Sequence, residues 1–282
     1  MSSQPPVEAL AWRHDGHRLE VELRQAPLNE IGTVLLAGLE RLAAYLYAGA
    51  SGARVVVIHS GQPGFCAGAD LRELHAGLST RHAWMPQRAR NVLLRRAAGQ
   101  FIDRVHAVFH ALDQSPIPIV AAVHGVCFGG GFELALVCDR IVADKTARFC
   151  FPELRLGILP CFGGVPRLER EVGNAVVRDL LLTGRSLRAT RAHALGVVAE
   201  VVPPGKALDA ARSAADQIAR FRPGTVAAAK RFIKPHPAAR LARERALFLD
   251  LVLRPEVLAA LDRFVADTSV RPYLPTSEAP GG

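Results

Sequence analysis

Two glycine-containing segments each follow a predicted buried strand and precede a helical pattern. They are GFCAGADLREL (64–74) and GVCFGGGFELALVCD (125–139). Glycine turns after strands are common, but a turn of small residues also leaves backbone N–H groups open at a helix N-terminus, where the helix dipole favours negative charge. Two such turns could direct their amides at one oxygen. Neither segment has the GxGxxG or GxxxxGKS/T spacing, so both disfavour nucleotide-phosphate binding of those kinds.

Two carboxylates lie close to these turns in otherwise apolar sequence. Glu133 follows the glycines of the second turn by two residues, and Glu153 lies in RFCFPELRLGILP (148–160). Burying a lone carboxylate is unfavourable unless it is paired or hydrogen-bonded. Each therefore has a structural alternative: Glu133 an ion pair with a distant Arg, and Glu153 the role of an ordinary loop carboxylate. If both face the turns, they suit general acid–base catalysis on a carbonyl compound.

The composition excludes several classes of protein. Half of the 282 residues are hydrophobic and 22% are charged, which is typical of a globular chain with a large core and excludes a disordered or fibrous one. The formal net charge is +9, and only four of the 35 basic residues are Lys. This charge fits either attraction to a polyanion or a solvated Arg-rich surface. Because no basic run is interleaved with aromatic residues, we expect no nucleic-acid partner.

The sequence carries no clear signal for export, disulfides or a membrane. Neither a secretory signal nor a transit peptide is visible, so we expect a cytoplasmic protein. The five Cys are odd in number and widely spaced, which indicates buried free thiols rather than disulfides or a metal site. Residues 117–138 are long enough to cross a bilayer, but they include His124, Glu133 and four glycines. We predict a strand, a turn and a helix there, and no membrane association.

Hydrophobic periodicity alternates between strand and helix over much of the chain. Continuous or alternating apolar runs predict three strands, and three- to four-residue spacing predicts two helices. The strands are 18–24, 53–60 and 118–125, and the helices are 31–49 and about 91–112. This order predicts the α/β class with parallel strands. Residues 140–144 and 147–151 indicate a later strand pair, and another helix is predicted to end at 195–202.

The sequence divides into four segments. Pro203, Pro204 and Gly205 can continue neither a helix nor a strand, and the residues after them have almost no strand character. We predict an N-terminal extension (1–17), a core (18–202), a helical C-terminal region (203–268) and a flexible tail (269–282). Because a helical appendage after an α/β body often covers a neighbouring surface, we expect oligomers.

In combination, these segments resemble the crotonase superfamily, and specifically its enoyl-CoA hydratases. The stretches that carry the resemblance are APLNEIG (26–32), 64–74, 117–139, ARFCFPELRLGILPCFGGVPRL (147–168) and LLTGRSLRATRAHALGVVAEVVPP (181–204). The resemblance covers about residues 18–265. It implies a crotonase-like spiral of ββα units with a helical C-terminal trimerisation region, and hence a homotrimer or a hexamer made of two trimers.

The resemblance also implies a reaction. The N–H groups of Ala69 and Gly130 correspond to an oxyanion hole for a thioester carbonyl, and Glu133 and Glu153 stand at the positions of the two catalytic glutamates. Retention of both acids favours hydration of a 2-enoyl-CoA to a 3-hydroxyacyl-CoA, since many relatives that keep only one isomerise, decarboxylate or hydrolyse instead. On this basis the partner is an acyl-CoA thioester, and we expect neither a metal nor a cofactor beyond the CoA of the substrate.

Four further residues resemble substrate-binding positions of the family. Ala67, Asp70 and Leu71 correspond to the wall beside the adenine, and Lys230 corresponds to a C-terminal Lys that can reach the CoA phosphates. Two of them have structural alternatives. Asp70 could cap the helix that follows it, and Lys230 could lie on a solvated helix face.

Several departures from the family pattern fall near the acyl end. Cys150 replaces a glycine shortly before Glu153 and is expected to narrow the pocket. The residues 160–164, PCFGG, replace PGAGG or PGFGG, and Val165 and Pro166 follow in place of Thr-Gln. These changes leave the acyl group open.

An insert-like segment, 75–91, occupies the region that shapes the acyl tunnel in relatives. Within it, we expect Trp84, Met85 and Pro86 to tune the tunnel. The sequence therefore leaves the length of the substrate's acyl chain open.

Other functions stay open at this level. An isomerase, or a specialised hydratase/lyase, would use the same thioester enolate. One relative binds RNA through a Lys-rich helix, but this chain has dispersed Arg and no such helix. A catalytically inactive scaffold would have little reason to retain both glutamates and both glycine turns.

Overall fold

Apolar, largely β-branched runs form the central strands of this protein. The structure is a computed structural model that describes residues 8–49, 52–79 and 84–266. The strands are β1 (Leu10–Asp15), β2 (Arg18–Leu23), β3 (Val55–Ser60), β4 (Ile119–Val123), β5 (Val126–Phe128), β6 (Arg140–Asp144), β7 (Arg148–Cys150), β8 (Leu187–Arg188) and β9 (Glu200–Val202). The three strands expected near 18–24, 53–60 and 118–125 are therefore confirmed as β2, β3 and β4.

Mostly amphipathic segments form the helices between and after these strands. They are α1 (Thr33–Tyr47), α2 (Leu71–Ser79), α3 (Gln87–Asp113), α4 (Gly130–Val137), α5 (Gly164–Val172), α6 (Asn174–Thr183), α7 (Ala189–Ala194), α8 (Ala207–Ile218), α9 (Pro223–Ile233), α10 (Ala238–Leu251) and α11 (Pro255–Ala266), with a 3-10 helix at Glu153–Leu156. The two helices predicted at 31–49 and about 91–112 are confirmed as α1 and α3. The mixture of helices and mainly parallel strands confirms the α/β class.

The main sheet has six strands in the order β1-β2-β3-β4-β6-β9. β1 and β2 are antiparallel, and the other neighbours are parallel. Both faces of this sheet are covered, which is why its central strands are apolar without alternation. Val55, Val57 and Val120 pack with alanines of α8, whereas Val56 and Ile58 belong to the larger core that includes residues of α1 and α3.

The chain passes repeatedly from the main sheet into a small second sheet, which has the order β5-β7-β8. β4 continues into β5 through His124 and Gly125, and α4 follows. Gly125 has a φ of +57°, and a β-carbon there would lie 2.6 Å from the carbonyl oxygen of Pro63. β6 and β7 repeat the two-strand step. The result is a series of ββα units.

Two predictions about later elements are wrong. Residues 140–144 and 147–151 do form strands, but β6 and β7 do not pair with each other: β6 lies between β4 and β9, and β7 lies between β5 and β8. The helix predicted to end at 195–202 also ends early, at Ala194, and Glu200–Val202 form β9 beside β6. Local periodicity indicates that a segment is extended, whereas its partner strand is decided by contacts distant in sequence.

The ends of the chain depart from the predicted division in one respect. Within the expected N-terminal extension, Leu10–Asp15 form β1 and pair with the whole of β2, so these residues belong to the sheet. The region after 203 is helical as expected. Its first helix, α8, packs on the main sheet, whereas α10 packs on α3 and α11 on α2. The predicted tail 269–282 lies outside the described residues.

Candidate active site

A cavity of about 800 Å³ opens between the two glycine turns and the C-terminal helices. Its wall includes Ala69, Gly130, Glu133 and Glu153, the four residues that the sequence assigned to catalysis. Apolar side chains from α2, α3, the 3-10 helix, α10 and α11 line much of the rest: Leu71, Leu74, Leu78, Leu94, Phe101, Ile102, Leu156, Phe248 and Phe264. The fold therefore brings carboxylates and turns from distant parts of the chain to one largely apolar cavity.

The two turns are hydrogen-bonded to each other, which sets their spacing. The amide of Cys66 donates to the carbonyl oxygen of Val126 at 3.0 Å, and the amide of Phe128 donates to the carbonyl oxygen of Cys66 at 3.0 Å. A β-carbon on Gly131 would lie only 2.3 Å from the same Cys66 oxygen. Glycine is thus needed at this position because the second turn lies directly against the first.

The backbone amides of Ala69 and Gly130 form no hydrogen bond to another backbone group in the described residues. Neither nitrogen donates to a backbone oxygen there, and Gly130 is the first residue of α4. A β-carbon built on Gly130 would lie 3.3 Å from the nitrogen of Ala69, so the two donors are close neighbours. The preceding glycines, Gly68 and Gly129, have φ values of +111° and +48°, which glycine adopts readily. Two such amides at the cavity wall can bind one oxygen atom.

Glu133 is buried and held by backbone amides rather than by a cation. Its Oε1 accepts hydrogen bonds from the amides of Phe162 (2.9 Å) and Gly164 (2.7 Å). Among the described residues it forms no ion pair, so the alternative of a structural pair with Arg is not met. Burial raises the pKa of Glu133 to about 7, against the opposing effect of the two amides and of Arg167. This carboxyl can therefore accept or release a proton near neutral pH.

Glu153 begins the 3-10 helix and is not an ordinary loop carboxylate. Its Oε2 is buried and has no hydrogen-bond partner in the described part of the chain. Its Oε1 lies beside the second turn, since a β-carbon on Gly129 would lie 2.5 Å from it. Burial, and then the charge of Glu133, raise the pKa of Glu153 well above its usual range. A carboxyl in this setting favours its protonated form.

The three residues predicted to lie beside the adenine line the cavity. Ala67, Asp70 and Leu71 all contribute to the wall. Asp70 also caps α2, because its Oδ1 accepts the amide hydrogen of Glu73 at 2.9 Å. The cap and the position on the wall are thus compatible.

Lys230 occupies neither of the two positions predicted for it, the CoA-binding wall and a solvated helix face. Its side chain is 6% exposed, Nζ lies 2.7 Å from Asp139, and it also donates to the carbonyl oxygens of Leu112 and Ile117. It does not line the cavity, and it is not on a solvated helix face, because α9 packs this side chain onto the end of α3. Both predictions for Lys230 are therefore wrong in this structure.

Lys230 belongs to a buried group of charges, called here the ionic cluster. Its members are Asp113, Asp139, Arg167, Arg170, Lys230 and Lys234. The three cations around Asp113 lower the pKa of this carboxyl to about 2, against the opposing effect of burial. Arg167 extends the cluster toward the cavity, since it donates to the carbonyl oxygens of Phe162 (3.2 Å) and Gly163 (3.0 Å).

Only some of the residues that depart from the family pattern near the acyl end lie at the cavity. Cys161 and Phe162 line the cavity, and the ring of Phe162 lies against Gly130. Cys150 does not: its thiol lies 3.2 Å from the carbonyl oxygen of Gly184 and points away from the cavity. Like the other four Cys, it is buried and free.

The segment 75–91 contributes differently from what was expected. Its N-terminal part belongs to α2, whose Ala76, Gly77 and Leu78 line the cavity, but Trp84 is 84% exposed and, like Met85 and Pro86, is not part of the wall. Residues 80–83 lie outside the described residues. In this region the wall is formed instead by the helices α2 and α3. Their apolar spacing is visible in the sequence, but the direction in which each helix packs is not.

One buried carboxylate near the cavity was not predicted. Glu244 of α10 is 7% exposed, and its Oε1 accepts the amide hydrogen of Gly163 at 2.7 Å. A Glu four residues before Phe248 in an amphipathic helix carries no signal of its own, because the sequence does not show which face is buried.

Over the described residues, no group of three or more candidate ligands could hold a metal, and no helix is long and apolar enough to cross a membrane.

Known proteins share both this sequence and this fold. Residues 23–264 match the family described as enoyl-CoA hydratase/isomerase. The chain is 34% identical over 248 residues to a probable enoyl-CoA hydratase of Rhizobium meliloti (strain 1021), covering 86% of this chain and 89% of that protein. It is 33% identical over 216 residues to an enoyl-CoA isomerase/hydratase of Mycosarcoma maydis, covering 75% and 73%.

A solved structure shows the same architecture. The crystal structure of an enoyl-CoA hydratase/isomerase from Mycobacterium paratuberculosis superposes with a TM-score of 0.79 over 91% of this chain and 98% of that one, at 22% identity. Fold and sequence together define an enzyme of the crotonase superfamily. Within it, the chain belongs to the enoyl-CoA hydratase/isomerase family, as the resemblance of its motifs predicted.

Proposed function

We propose that this protein is an enoyl-CoA hydratase, which adds water across the 2,3-double bond of a 2-enoyl-CoA to give a 3-hydroxyacyl-CoA. The observation that carries the proposal is the pairing of two carboxyls, Glu133 and Glu153, whose pKa values burial raises, with the two amides of the glycine turns at one cavity. Addition of water requires a base at C3 and an acid at C2, and an electron-withdrawing carbonyl to make C3 electrophilic.

The amides of Ala69 and Gly130 supply the electrophilic activation. In this proposal both amides donate to the thioester oxygen, on which negative charge grows when water attacks C3. Gly130 begins α4, so the helix dipole acts in the same direction as its N–H. Because the donors are fixed by the fold, they need no reorganisation as the enolate forms.

The carboxyls divide the proton transfers. Glu133, with Oε1 held by two amides, keeps Oε2 for a water molecule, which it orients and deprotonates as the new C3–O bond forms. Glu153, whose burial favours the protonated form, gives its proton to C2 as the enolate collapses. Glu133 then holds the proton taken from water while Glu153 lacks one, and exchange through solvent restores both. The net change is one water added, with no other reactant.

The remaining wall divides into a CoA side and an acyl side. We assign Ala67, Asp70 and Leu71 to the adenine side, following the resemblance of this segment to the family. We assign to the acyl side the apolar residues of α2 after Leu71, the apolar residues of α3 at the cavity, and Phe162. We also propose a homotrimer or hexamer, which would cover the exposed apolar residues Phe232 and Ile233 of α9 (88% and 66% exposed). Light scattering of the purified protein tests this assembly.

An isomerase is the second candidate, and one observation favours it. The Oε2 atom of Glu153 has no hydrogen-bond partner among the described residues, so this single carboxyl could take a proton from C2 of a 3-enoyl-CoA, which forms a dienolate, and return it to C4. Glu133 would then be dispensable. The relative in Mycosarcoma maydis carries both activities in its name.

The test measures loss of the enoyl-thioester absorbance with crotonyl-CoA and with longer 2-enoyl-CoAs. We expect turnover by the wild-type protein that is abolished by both Glu133→Gln and Glu153→Gln. Turnover of a 3-enoyl-CoA that survives Glu133→Gln and is lost with Glu153→Gln would instead identify an isomerase. Both proposals would be rejected if mass spectrometry shows no hydration of any 2-enoyl-CoA and no 3-enoyl-CoA gains the absorbance of a conjugated enoyl thioester.

A further inference from the structure

The residues Phe162–Gly164 are held on opposite sides by buried charged groups. The amides of Phe162 and Gly164 both donate to Oε1 of Glu133, and the amide of Gly163 between them donates to Oε1 of Glu244. Three successive N–H groups are thus shared between two carboxyls. Gly163 has a φ of +92°, and successive N–H groups around a left-handed residue form a concave site for an anion.

The carbonyl groups of this segment are also satisfied. The guanidinium of Arg167 donates to the carbonyl oxygens of Phe162 and Gly163, and Arg167 itself is paired with Asp113. A β-carbon on Gly163 would lie 2.6 Å from Leu241 of α10, so this helix is in direct contact with the segment. Besides Glu133, the segment is thus held by the hydrogen bond from Gly163 to Glu244 of α10, whereas Leu241 only packs against it.

Within the described ranges, Glu244 has no ion pair to explain its burial. It is 7% exposed, its Oε2 has no hydrogen-bond partner among those residues, and its Oε1 accepts the hydrogen bond from Gly163. A carboxyl in such a position is unfavourable for stability alone. Its neighbours Leu241 and Phe248 on the same face of α10 are apolar, so the packing of the helix does not require a carboxyl there.

We propose that Glu244 is a positioning residue: by accepting the amide hydrogen of Gly163, it orients the segment so that the amides of Phe162 and Gly164 bind the catalytic carboxyl Glu133. This inference rests on the proposed function for the role of Glu133. Glu244 acts on the reaction only through that segment. Loss of its acceptor leaves a buried N–H unsatisfied, and the peptide turns toward another acceptor, which withdraws the donors from Glu133.

The proton affinity of Glu133 depends on the hydrogen bonds from Phe162 and Gly164, so it can be used to measure whether they are intact. The titratable and charged groups that act on it are Glu153, Glu244, Arg167 and the Cys161 thiol, and its hydrogen-bond donors are the two amides. Donors to a carboxylate favour its charged form, so their withdrawal raises the proton affinity. Removal of the Glu244 charge acts in the opposite direction, and a comparison must hold that charge constant.

Glu244→Gln and Glu244→Leu form the required pair, because both lack the charge and only Gln retains an acceptor for the amide of Gly163. The pKa of Glu133 is measured by NMR of protein with 13Cδ-labelled Glu, with Glu133→Gln to assign the signal. We expect Glu244→Leu to raise the proton affinity of Glu133 about tenfold above that in Glu244→Gln, and to lower kcat at least tenfold with little change in KM. Glu244→Gln restores kcat to within about threefold of wild type.

Leu241→Ala is the matched control, because it loosens α10 against Gly163 without removing the acceptor. It should lower Tm and leave the proton affinity of Glu133 unchanged. Equal titrations of Glu133 in the Gln and Leu variants would overturn the proposal, as would an equal effect of Leu241→Ala. If Glu244→Leu does not fold, Glu244→Asp keeps the charge but falls one methylene short, and it should lower kcat with KM unchanged.

The titration does not depend on turnover. If the wild-type protein hydrates no enoyl-CoA, the proposed function fails, yet the Gln and Leu variants still show whether Glu244 holds the donors of Glu133. If the wild-type protein is active and the two variants titrate alike, only the role of Glu244 is rejected.

Discussion

Two buried groups of charges lie on either side of Phe162–Gly164, and they differ in the kind of partner they have. The carboxylate site is formed by Glu133, Glu153 and Glu244; backbone amides are its hydrogen-bond donors, and burial raises all three pKa values. The ionic cluster surrounds its carboxylates with four cations, and the pKa of Asp113 falls to about 2. Arg167 contacts both the cluster and the segment between the two groups.

The comparison shows that burial alone does not decide what a carboxyl can do. Desolvation raises the pKa of Glu133 and opposes the lowering at Asp113. The cations of the cluster outweigh it and keep Asp113 charged, which suits a structural role. In the carboxylate site desolvation outweighs the stabilisation of the charged form, and Glu133 remains able to exchange protons near neutral pH.

The largest expected effect is the loss of activity in Glu153→Gln. A missing acid removes about 10²- to 10⁴-fold of kcat. Tm should not fall, because the substitution removes a buried carboxyl that has no cationic partner among the described residues. Steady-state kinetics with crotonyl-CoA and thermal unfolding test both parts. Asp103→Asn, which removes an exposed carboxylate paired with Arg245, serves as the control and should keep wild-type kinetics. Full activity of Glu153→Gln would contradict the assignment of the carboxylate site to catalysis and of the ionic cluster to stability.

The ionic cluster should respond in the opposite way. Asp113→Asn leaves Arg167, Arg170 and Lys234 without their shared partner, and we expect the free energy of unfolding to fall by about 3 to 5 kcal/mol. Urea denaturation measures this loss. A decrease below about 1 kcal/mol would mean that Asp139 or solvent satisfies the three cations, and that the cluster is weaker than its geometry indicates.

The two groups should also give stability opposite dependences on pH. The pKa of Glu133 rises from an ordinary value of 4.5 in the unfolded chain to about 7 in the folded one, so its contribution is full below about 4.5 and is lost as the pH rises through about 7. The native state binds more protons in that window, and stability falls by up to about 3 kcal/mol. Glu133→Gln should make the fall less steep, while Glu153 and Glu244, whose pKa values burial also raises, keep part of it. An equally steep fall in that variant would assign the effect to another group.

Asp113 acts at lower pH and with the other sign. Its pKa falls from 3.8 to about 2 on folding, so its contribution is present above about 3.8 and is lost as the pH falls toward 2. This amounts to about 2 kcal/mol. Comparison of acid unfolding in the wild type and in Asp113→Asn measures it, and the curves should converge below about pH 2.

The smallest expected effect is at Asp70, which lies outside both groups. Asp70→Ala removes the cap of α2 and should lower stability by about 1 kcal/mol. Because α2 forms part of the cavity wall, KM should rise while kcat changes little. Asp70→Asn retains a capping oxygen and should recover the stability; if it does not, the carboxylate charge matters more than the cap.

The catalytic candidates could be found from sequence because each lies next to a local signal. Ala69 and Gly130 belong to strand-to-helix turns, and Glu133 is an isolated acid in an apolar helix. Lys230 and Glu244 have no comparable signal. Each lies on an amphipathic helix of the C-terminal region, and the direction in which such a helix packs is decided by contacts with α3 and with the 162–164 segment. That is why Lys230 was misplaced and Glu244 was missed.

By itself, the sequence determined the α/β class, the positions of the central strands and both glycine turns, and the family, because these depend on local periodicity and short motifs. Tertiary structure alone decided that β6 and β7 enter different sheets and that α10 places a third carboxyl beside the site. It also decided that Glu133 is bound by amides and Asp113 by cations. Desolvation and pairing depend on neighbours far apart along the chain, so no local pattern can show them.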